Sequence, residues 1–208
     1  TVTGNATATT IDASAATGKI TVTSDNTKAV SITTGSGVDA VTMTGTNTLT
    51  DTVSLGAGND KVTFAATLDD ADIVDGGDGT DTLVGVSADL AALTSAATTS
   101  NLTNFETVQV SDQSGADLDV SDIQEDGITT VTLAHSGAAL VSGGRSITGE
   151  AGALTVNLGK SAAGNTSTLG NTLTVNDGAD NLGTSDTVTI NNTGVNSTTG
   201  GNINITNN

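Results

Sequence analysis

Three aspartates, Asp39, Asp60 and Asp81, recur at intervals of 21 residues, and Gly37, Gly58 and Gly79 keep the same step two places before them. Carboxylates repeated in phase point to cation binding. Stacked about 5 Å apart along one edge of a repeating fold, they would repel one another strongly without a counter-ion. Lys61 is the only cation near that row, and one ammonium cannot neutralise it. Glycines suit such a site because they allow positive φ and let carbonyl oxygens turn inward beside the carboxylates.

Those turns need strands to space them. Short alternating, β-branched segments read as strands: KITVTS (19–24), DAVTMTG (39–45), DKVTFA (60–65) and DTLVG (81–85). Ile20, Val41, Val62 and Leu83 are each 21 residues apart, and Val22, Met43 and Phe64 repeat the step two residues along. A second apolar ladder, Ile11, Ile32, Val53 and Val74, has the same period at a different phase. Two ladders sharing one period predict a parallel β-solenoid with coils of about 21 residues, each giving two facing strands around a thin aliphatic interior.

The segments GSGVDAVTM (35–43), GAGNDKVTF (56–64) and GGDGTDTLV (76–84) carry the turns. The third fits the nonapeptide G-G-x-G-x-D-x-U-x throughout; the first two depart only at the leading glycine, where Thr34 and Leu55 stand. On these residues the chain resembles the RTX calcium-binding β-roll family. The resemblance implies Ca2+ between successive turns, held by backbone carbonyls and the shared aspartates. The implied ligand turns contain Gly35, Gly37 and Asp39; Gly56, Gly58 and Asp60; and Gly76, Gly77, Asp78, Gly79 and Asp81. A hard cation of this kind takes six to eight oxygens, which such turns can supply. Family repeats advance nine residues per half-turn, whereas here the steps alternate between twelve and nine. Asp51 and Asp72 therefore fall on the opposite edge, in longer loops without glycines, as secondary candidates.

Composition agrees with a cation-binding, helix-poor chain. There are 23 Asp plus Glu against 5 Lys plus Arg, a net charge of −18, with no Cys, Pro, Trp or Tyr. Only three of the acids are glutamates (Glu106, Glu125 and Glu150), and roughly a fifth of the residues are Thr. Aspartate suits turns, so helix bundles are excluded. Such charge repels nucleic-acid phosphates and anionic membranes. No run reaches the roughly 20 apolar residues needed to span a bilayer.

After Val84 the period breaks. Residues 86–106 hold one short helical insertion, with Ser87 as N-cap and Leu90 and Leu93 on one face. A GGDGTD turn, an Ala-rich excursion and an N-F-E-T segment together resemble calcium-dependent surface-layer (S-layer) proteins of RTX type, best over residues 30–115. Further strands follow at looser spacing, in TVQVS, ITTVTLA, ALTVNLG, TLTVND, DTVTINN and NINITNN. Leu173, Val188 and Ile203 are 15 apart, as are Val175, Ile190 and Ile205, which predicts a shorter final coil. The degenerate turns DGADNL and GTSDTV make Asp180 and Asp186 further metal candidates. The stretch DLDVSDIQED (117–126) reads as a solvated acidic loop, with a further metal site as the alternative.

Other chemistry has little support. His135 is the single His and reads as a polar, turn-adjacent residue; no Ser-centred elbow or metal-type His pair accompanies it. Arg145, the sole Arg, reads as an exposed or interface charge. The sequon Asn5-Ala6-Thr7 carries little weight in an Asn- and Thr-rich chain. Thr21, Thr42 and Thr63 form a short Thr column of the kind flat ice-binding solenoids present, but outward Thr on a polar solenoid explains it more simply.

The expected organisation is an all-β parallel solenoid: residues 1–85 a calcium-binding part, 86–106 a helical or loop insertion, and 107–208 a less regular continuation. The expected role is structural and non-enzymatic, as a constituent of an extracellular surface layer assembling laterally with copies of itself. The resemblance further implies type I secretion and a cell-surface glycan anchor through another region. A spacer of a large RTX adhesin and the calcium-binding domain of a secreted hydrolase are the alternatives.

Overall fold

A computed structural model of the chain describes residues 2–3, 8–25, 27–45, 48–93, 101–112, 115–123, 127–133, 145–149, 153–159, 172–176, 187–192 and 203–206. The first strands are β1 (Val2–Thr3), β2 (Thr10–Asp12), β3 (Thr21–Ser24), β4 (Ser31–Thr33), β5 (Ala40–Met43) and β6 (Thr52–Ser54). Next come β7 (Ala57–Gly58), β8 (Lys61–Phe64), β9 (Ile73–Asp75), β10 (Asp78–Gly79) and β11 (Thr82–Gly85). A helical turn, α1 (Ser87–Leu90), leads to β12 (Leu102–Thr103), β13 (Thr107–Val110) and β14 (Leu118–Asp119). After a second turn, α2 (Val120–Ile123), come β15 (Thr130–Leu133), β16 (Arg145–Thr148), β17 (Leu154–Leu158), β18 (Leu173–Asn176), β19 (Val188–Asn192) and β20 (Ile203–Thr206).

Every strand pairing is parallel, and the fold is the expected β-solenoid. One wall is a nine-stranded sheet, β1-β3-β5-β8-β11-β13-β15-β17-β19. Most of the other strands form a five-stranded sheet, β12-β9-β6-β4-β2, and then a four-stranded one, β14-β16-β18-β20, while β7 and β10 pair by themselves at the turns. Alternation along each strand sends every second residue inward, as in the buried–partly buried pattern of Thr21–Ser24. The inward residues of the three larger sheets join in one core, with Val22, Ile32, Val62, Leu83, Val108, Val156 and Val175 fully buried. Phe64 and Phe105, the only aromatics, lie within it.

The ladder of Ile11, Ile32, Val53 and Val74 stacks in register and continues to Leu102. The other ladder differs at its first rung. Val41 pairs with Val22, not Ile20, because the step from β3 to β5 is two residues short of 21; Ser24, not Val22, then stands beneath Met43 and Phe64. Ile20 thereby occupies the corner below Asp39. The spacing of 15 in the C-terminal part is half a coil. Leu173 pairs with Ile203 in one sheet, while Val188 pairs with Leu154 in the other.

The insertion is tied into the solenoid on both walls. β11 pairs directly with β13 across it, and β12, inside it, pairs with β9. Ser87 is the first residue of α1 rather than its cap; Val86 holds the cap position and makes no side-chain cap bond. The Ser87 N–H donates instead to Asp112 Oδ1 at 2.7 Å. Leu90 and Leu93 are buried, and Leu90 fills the core beside Gly85, where a Cβ would approach its Cγ to 2.9 Å. The acidic stretch holds β14 and α2, with Val120 and Ile123 buried, so it is not simply a solvated loop. Arg145 opens β16, in register with the buried Leu173, and is only partly exposed. His135 and Asn5-Ala6-Thr7 lie outside the described residues.

Candidate metal centre

The corner that precedes the strands from β5 to β15 on the long wall is one continuous column. The N–H of the first residue of β5, β8, β11, β13 and β15 bonds to the carbonyl of Ile20, Asp39, Asp60, Asp81 and Glu106 in turn. Asp39, Asp60 and Asp81 are at most 2% exposed. Their carboxylates reach back to the preceding coil and hold its corner. Asp39 Oδ1 accepts from the Ile20 N–H at 2.6 Å, Asp60 Oδ1 from Asp39 at 2.7 Å, and Asp81 Oδ1 from Asp60 at 2.7 Å. Glu106 Oε2 completes the row by accepting from the Asp81 N–H at 2.7 Å. Backbone N–H donors to an ionised acceptor are among the stronger protein hydrogen bonds.

The second oxygens separate the three aspartates. Asp39 Oδ2 accepts from the Gly35 N–H at 3.2 Å, whereas Asp60 Oδ2 and Asp81 Oδ2 are buried without a hydrogen-bond partner. Turn shape changes at the same point. Gly56 and Gly77 have φ of 87° and 88°, and Gly58 and Gly79 have 145° and 142°, while Gly35 and Gly37 are outside that region. The two matching turns pair as β7 and β10, Ala57 with Asp78 and Gly58 with Gly79. A Cβ at Gly56 or Gly77 would overlap the carbonyl oxygen of Gly35 or Gly56, one coil below. Gly76 is equally confined, packed against the Asn104 carbonyl and 2.9 Å from Asp81 Cβ when a Cβ is added. Asp78 is exposed and stands apart from the buried row.

Burial raises both unsatisfied acids. It pushes Asp81 up to about 6, with the charges of Asp60, Glu106 and Asp75 adding to it against the stabilising bond from the Asp60 N–H. Asp60 is raised by the same cause, opposed by its bond to Asp39 and assisted by the Asp39 charge.

On the opposite edge Asp51 and Asp72 do the same mechanical work. Asp51 Oδ1 accepts from the Val30 N–H at 2.8 Å and Asp72 Oδ1 from the Asp51 N–H at 2.9 Å. Asp72 Oδ2 is also engaged, by the Asp69 N–H at 3.1 Å. Burial lifts Asp72 to about 6 against those two bonds. Asp180 and Asp186 lie outside the described residues.

Two participants went unrecognised in the sequence. Glu106 ends the carboxylate row, signalled only by the N-F-E-T segment 25 residues after Asp81. Asp75, immediately before the third turn, accepts from the Gly77 N–H at 3.0 Å and Asn104 Nδ2 at 2.7 Å.

Among the described residues no three Asp, Glu, His or Cys side chains converge as a ready metal cage. A cation here would therefore depend on backbone oxygens beside few carboxylates. Two buried, negatively charged oxygens without donors, on adjacent coils and beside glycine turns that no side chain could enter, fit a small hard cation. Comparison of the chain with models of protein families, with curated proteins and with solved structures finds no match.

Proposed function

We propose that this chain is a calcium-stabilised structural solenoid, a constituent of an extracellular surface layer built from laterally associated copies. The observation that carries the cation is the pair of unpartnered, buried oxygens, Asp60 Oδ2 and Asp81 Oδ2. These two carboxylates would hold Ca2+ together with backbone carbonyls of the turns at 56–60 and 77–81. The ion supplies the positive charge that offsets the burial of these carboxylates and so favours their ionised form. Asp39 has donors on both oxygens, so the 35–39 turn is the weaker neighbour of this site.

The role is mechanical rather than catalytic. Asp39, Asp51 and Asp72 already bind the backbone of adjacent coils, and the residues that recur in phase are those that stack. Calcium that binds the stacked state and not the open chain stabilises the fold by mass action, about 2.7 kcal/mol per site at a hundredfold excess over the dissociation constant. A chain held loose at low calcium inside the cell and folded outside it suits type I export. Anchoring to a cell-surface glycan through another region completes the reading.

The test is thermal unfolding followed by circular dichroism, with millimolar calcium and with chelator. A clear rise in Tm with calcium but not magnesium supports the reading. Identical melting in calcium and chelator overturns it.

A further inference from the structure

The outer face of the long wall differs from the rest of this acidic chain. From β3 to β19 it presents two stacked columns, one from Thr21 to Thr189 and one from Thr23 to Asn191. The Thr column read from the fixed period is redrawn here, since Thr21 pairs with Ala40 and Thr23 with Thr42. Of the sixteen outward positions ten are Thr and none is Asp or Glu, although the chain carries 23 acids. The one charge is Lys61, and its Nζ lies 3.3 Å from Gln109 Oε1. That bond spans β11, whose outward Val84 is buried. The wall is therefore nearly neutral. By contrast, the outer face of the five-stranded sheet bears Asp12 and Asp75.

We propose that this wall is the surface by which one copy of the chain docks on another, an inference that rests on the lateral-assembly part of the reading above. Charge selects the partner. At a net charge of −18, copies repel wherever carboxylates meet, and this wall lets two of them approach without that cost. Chemistry makes it self-complementary, because Thr hydroxyls and Asn or Gln amides both donate and accept, as an interface between identical patches requires. Eight strands at about 4.8 Å give a strip roughly 40 Å long and 10 Å wide, about half of a standard interface per partner. A single contact is accordingly weak, and an array multiplies it.

Sedimentation of the 208-residue chain from about 10 µM to 1 mM, in calcium and in chelator, tests this. The variant Thr107→Glu/Thr155→Glu places carboxylates on the wall two strands apart; Thr10→Glu/Thr52→Glu does the same on the five-stranded sheet. Expected is a mass rising with concentration above 20.2 kDa for the wild type and the second variant, and none for the first, with unchanged circular dichroism. Association by the wall variant equal to wild type overturns the proposal, as does a wild type that stays monomeric throughout. A monomer whose wall instead shapes growing ice, lost in the wall variant, also overturns it and assigns the face to that surface. Should the wall variant misfold, Thr107→Gln/Thr155→Gln replaces it: bulk without charge must weaken association at least threefold. Calcium-dependent melting is read separately on every sample, so loss of the metal response leaves the wall result standing, and the reverse.

Discussion

Asp60 donates its backbone N–H to Asp81 Oδ1 at 2.7 Å, and Asp81 Oδ2, on the same carboxylate, has no partner at all. One oxygen holds the coil below; the other is buried and unpartnered, and is the one the proposed cation would take. Holding the coil and binding the proposed cation would thus fall to different atoms of a single group, and substitutions can separate them.

Asp60→Asn keeps an acceptor for the Asp39 N–H but removes the charge, whereas Asp60→Ala removes both. The alanine chain should lose about 2 to 4 kcal/mol with or without calcium, since a buried N–H is left unpaired along with a charge-assisted bond. The asparagine chain should match wild type in chelator and lose most of its response to calcium. Asp39→Asn, at a carboxylate whose oxygens are both engaged, should retain that response. Calcium titrations of Tm on the three chains decide the matter; equal loss of response in Asp39→Asn and Asp60→Asn would contradict the division.

Stability without calcium should fall as pH rises. Asp72 and Asp81 titrate near 6 in the fold against 3.8 ordinarily, so between these values the folded chain binds more protons than the unfolded one. Their contribution is fully present below 3.8 and lost as pH passes 6. Chelator-treated protein should melt at a higher temperature at pH 4.5 than at pH 7, and Asp81→Asn should flatten part of that slope. Calcium should remove the Asp81 part and leave the Asp72 part. A Tm that climbs with pH in chelator would count against the burial of these carboxyls as ionisable groups.

Glycines at the turns differ in what they tolerate. Gly77→Ala demands φ of 88° from a residue with a side chain and drives that Cβ into the Gly56 carbonyl. The conformational strain alone is about 1 to 3 kcal/mol, with the overlap added to it. Gly18→Ala meets nothing within 4 Å and should leave stability within about 0.5 kcal/mol of wild type. Chemical denaturation of the two variants gives the comparison, and a Gly77→Ala chain as stable as Gly18→Ala would refute the stacked-turn geometry.

The part of this geometry that was legible in the sequence is the part with constant step. Ile11, Ile32, Val53 and Val74 stack as their period implies, because nothing is inserted or lost between them. Ile20 was misassigned because a coil shortened by two residues keeps its strand pattern while shifting its corner, and a fixed period cannot register that. Val188 misled differently: strands that alternate between walls at equal half-coils produce one spacing for two sheets. In the turns, the positions of Asp60 and Asp81 were readable, but which oxygen remains over was not. The turns that leave an oxygen over also have positive φ at Gly56 and Gly77, which the sequence does not reveal because glycine accepts either sign.

Gly85 and Leu90 offer a last test, of how the insertion is built into the core. The inward column of the long wall runs Ser24, Met43, Phe64, Gly85, Val110. Gly85 has no side chain where its neighbours have one, and fully buried Leu90 from α1 occupies the space. Leu90→Ala should cost about 2 to 5 kcal/mol by opening a cavity. Gly85→Ala should cost about 1 to 3 kcal/mol by overpacking, because its Cβ would stand 2.9 Å from Leu90 Cγ. In the double variant the new methyl enters part of the vacated space, so the two costs should fall short of their sum by at least about 0.5 kcal/mol. Urea denaturation of the four chains measures that coupling. Strict additivity would mean that Leu90 does not fill the Gly85 position, and that the insertion packs on the solenoid in some other way.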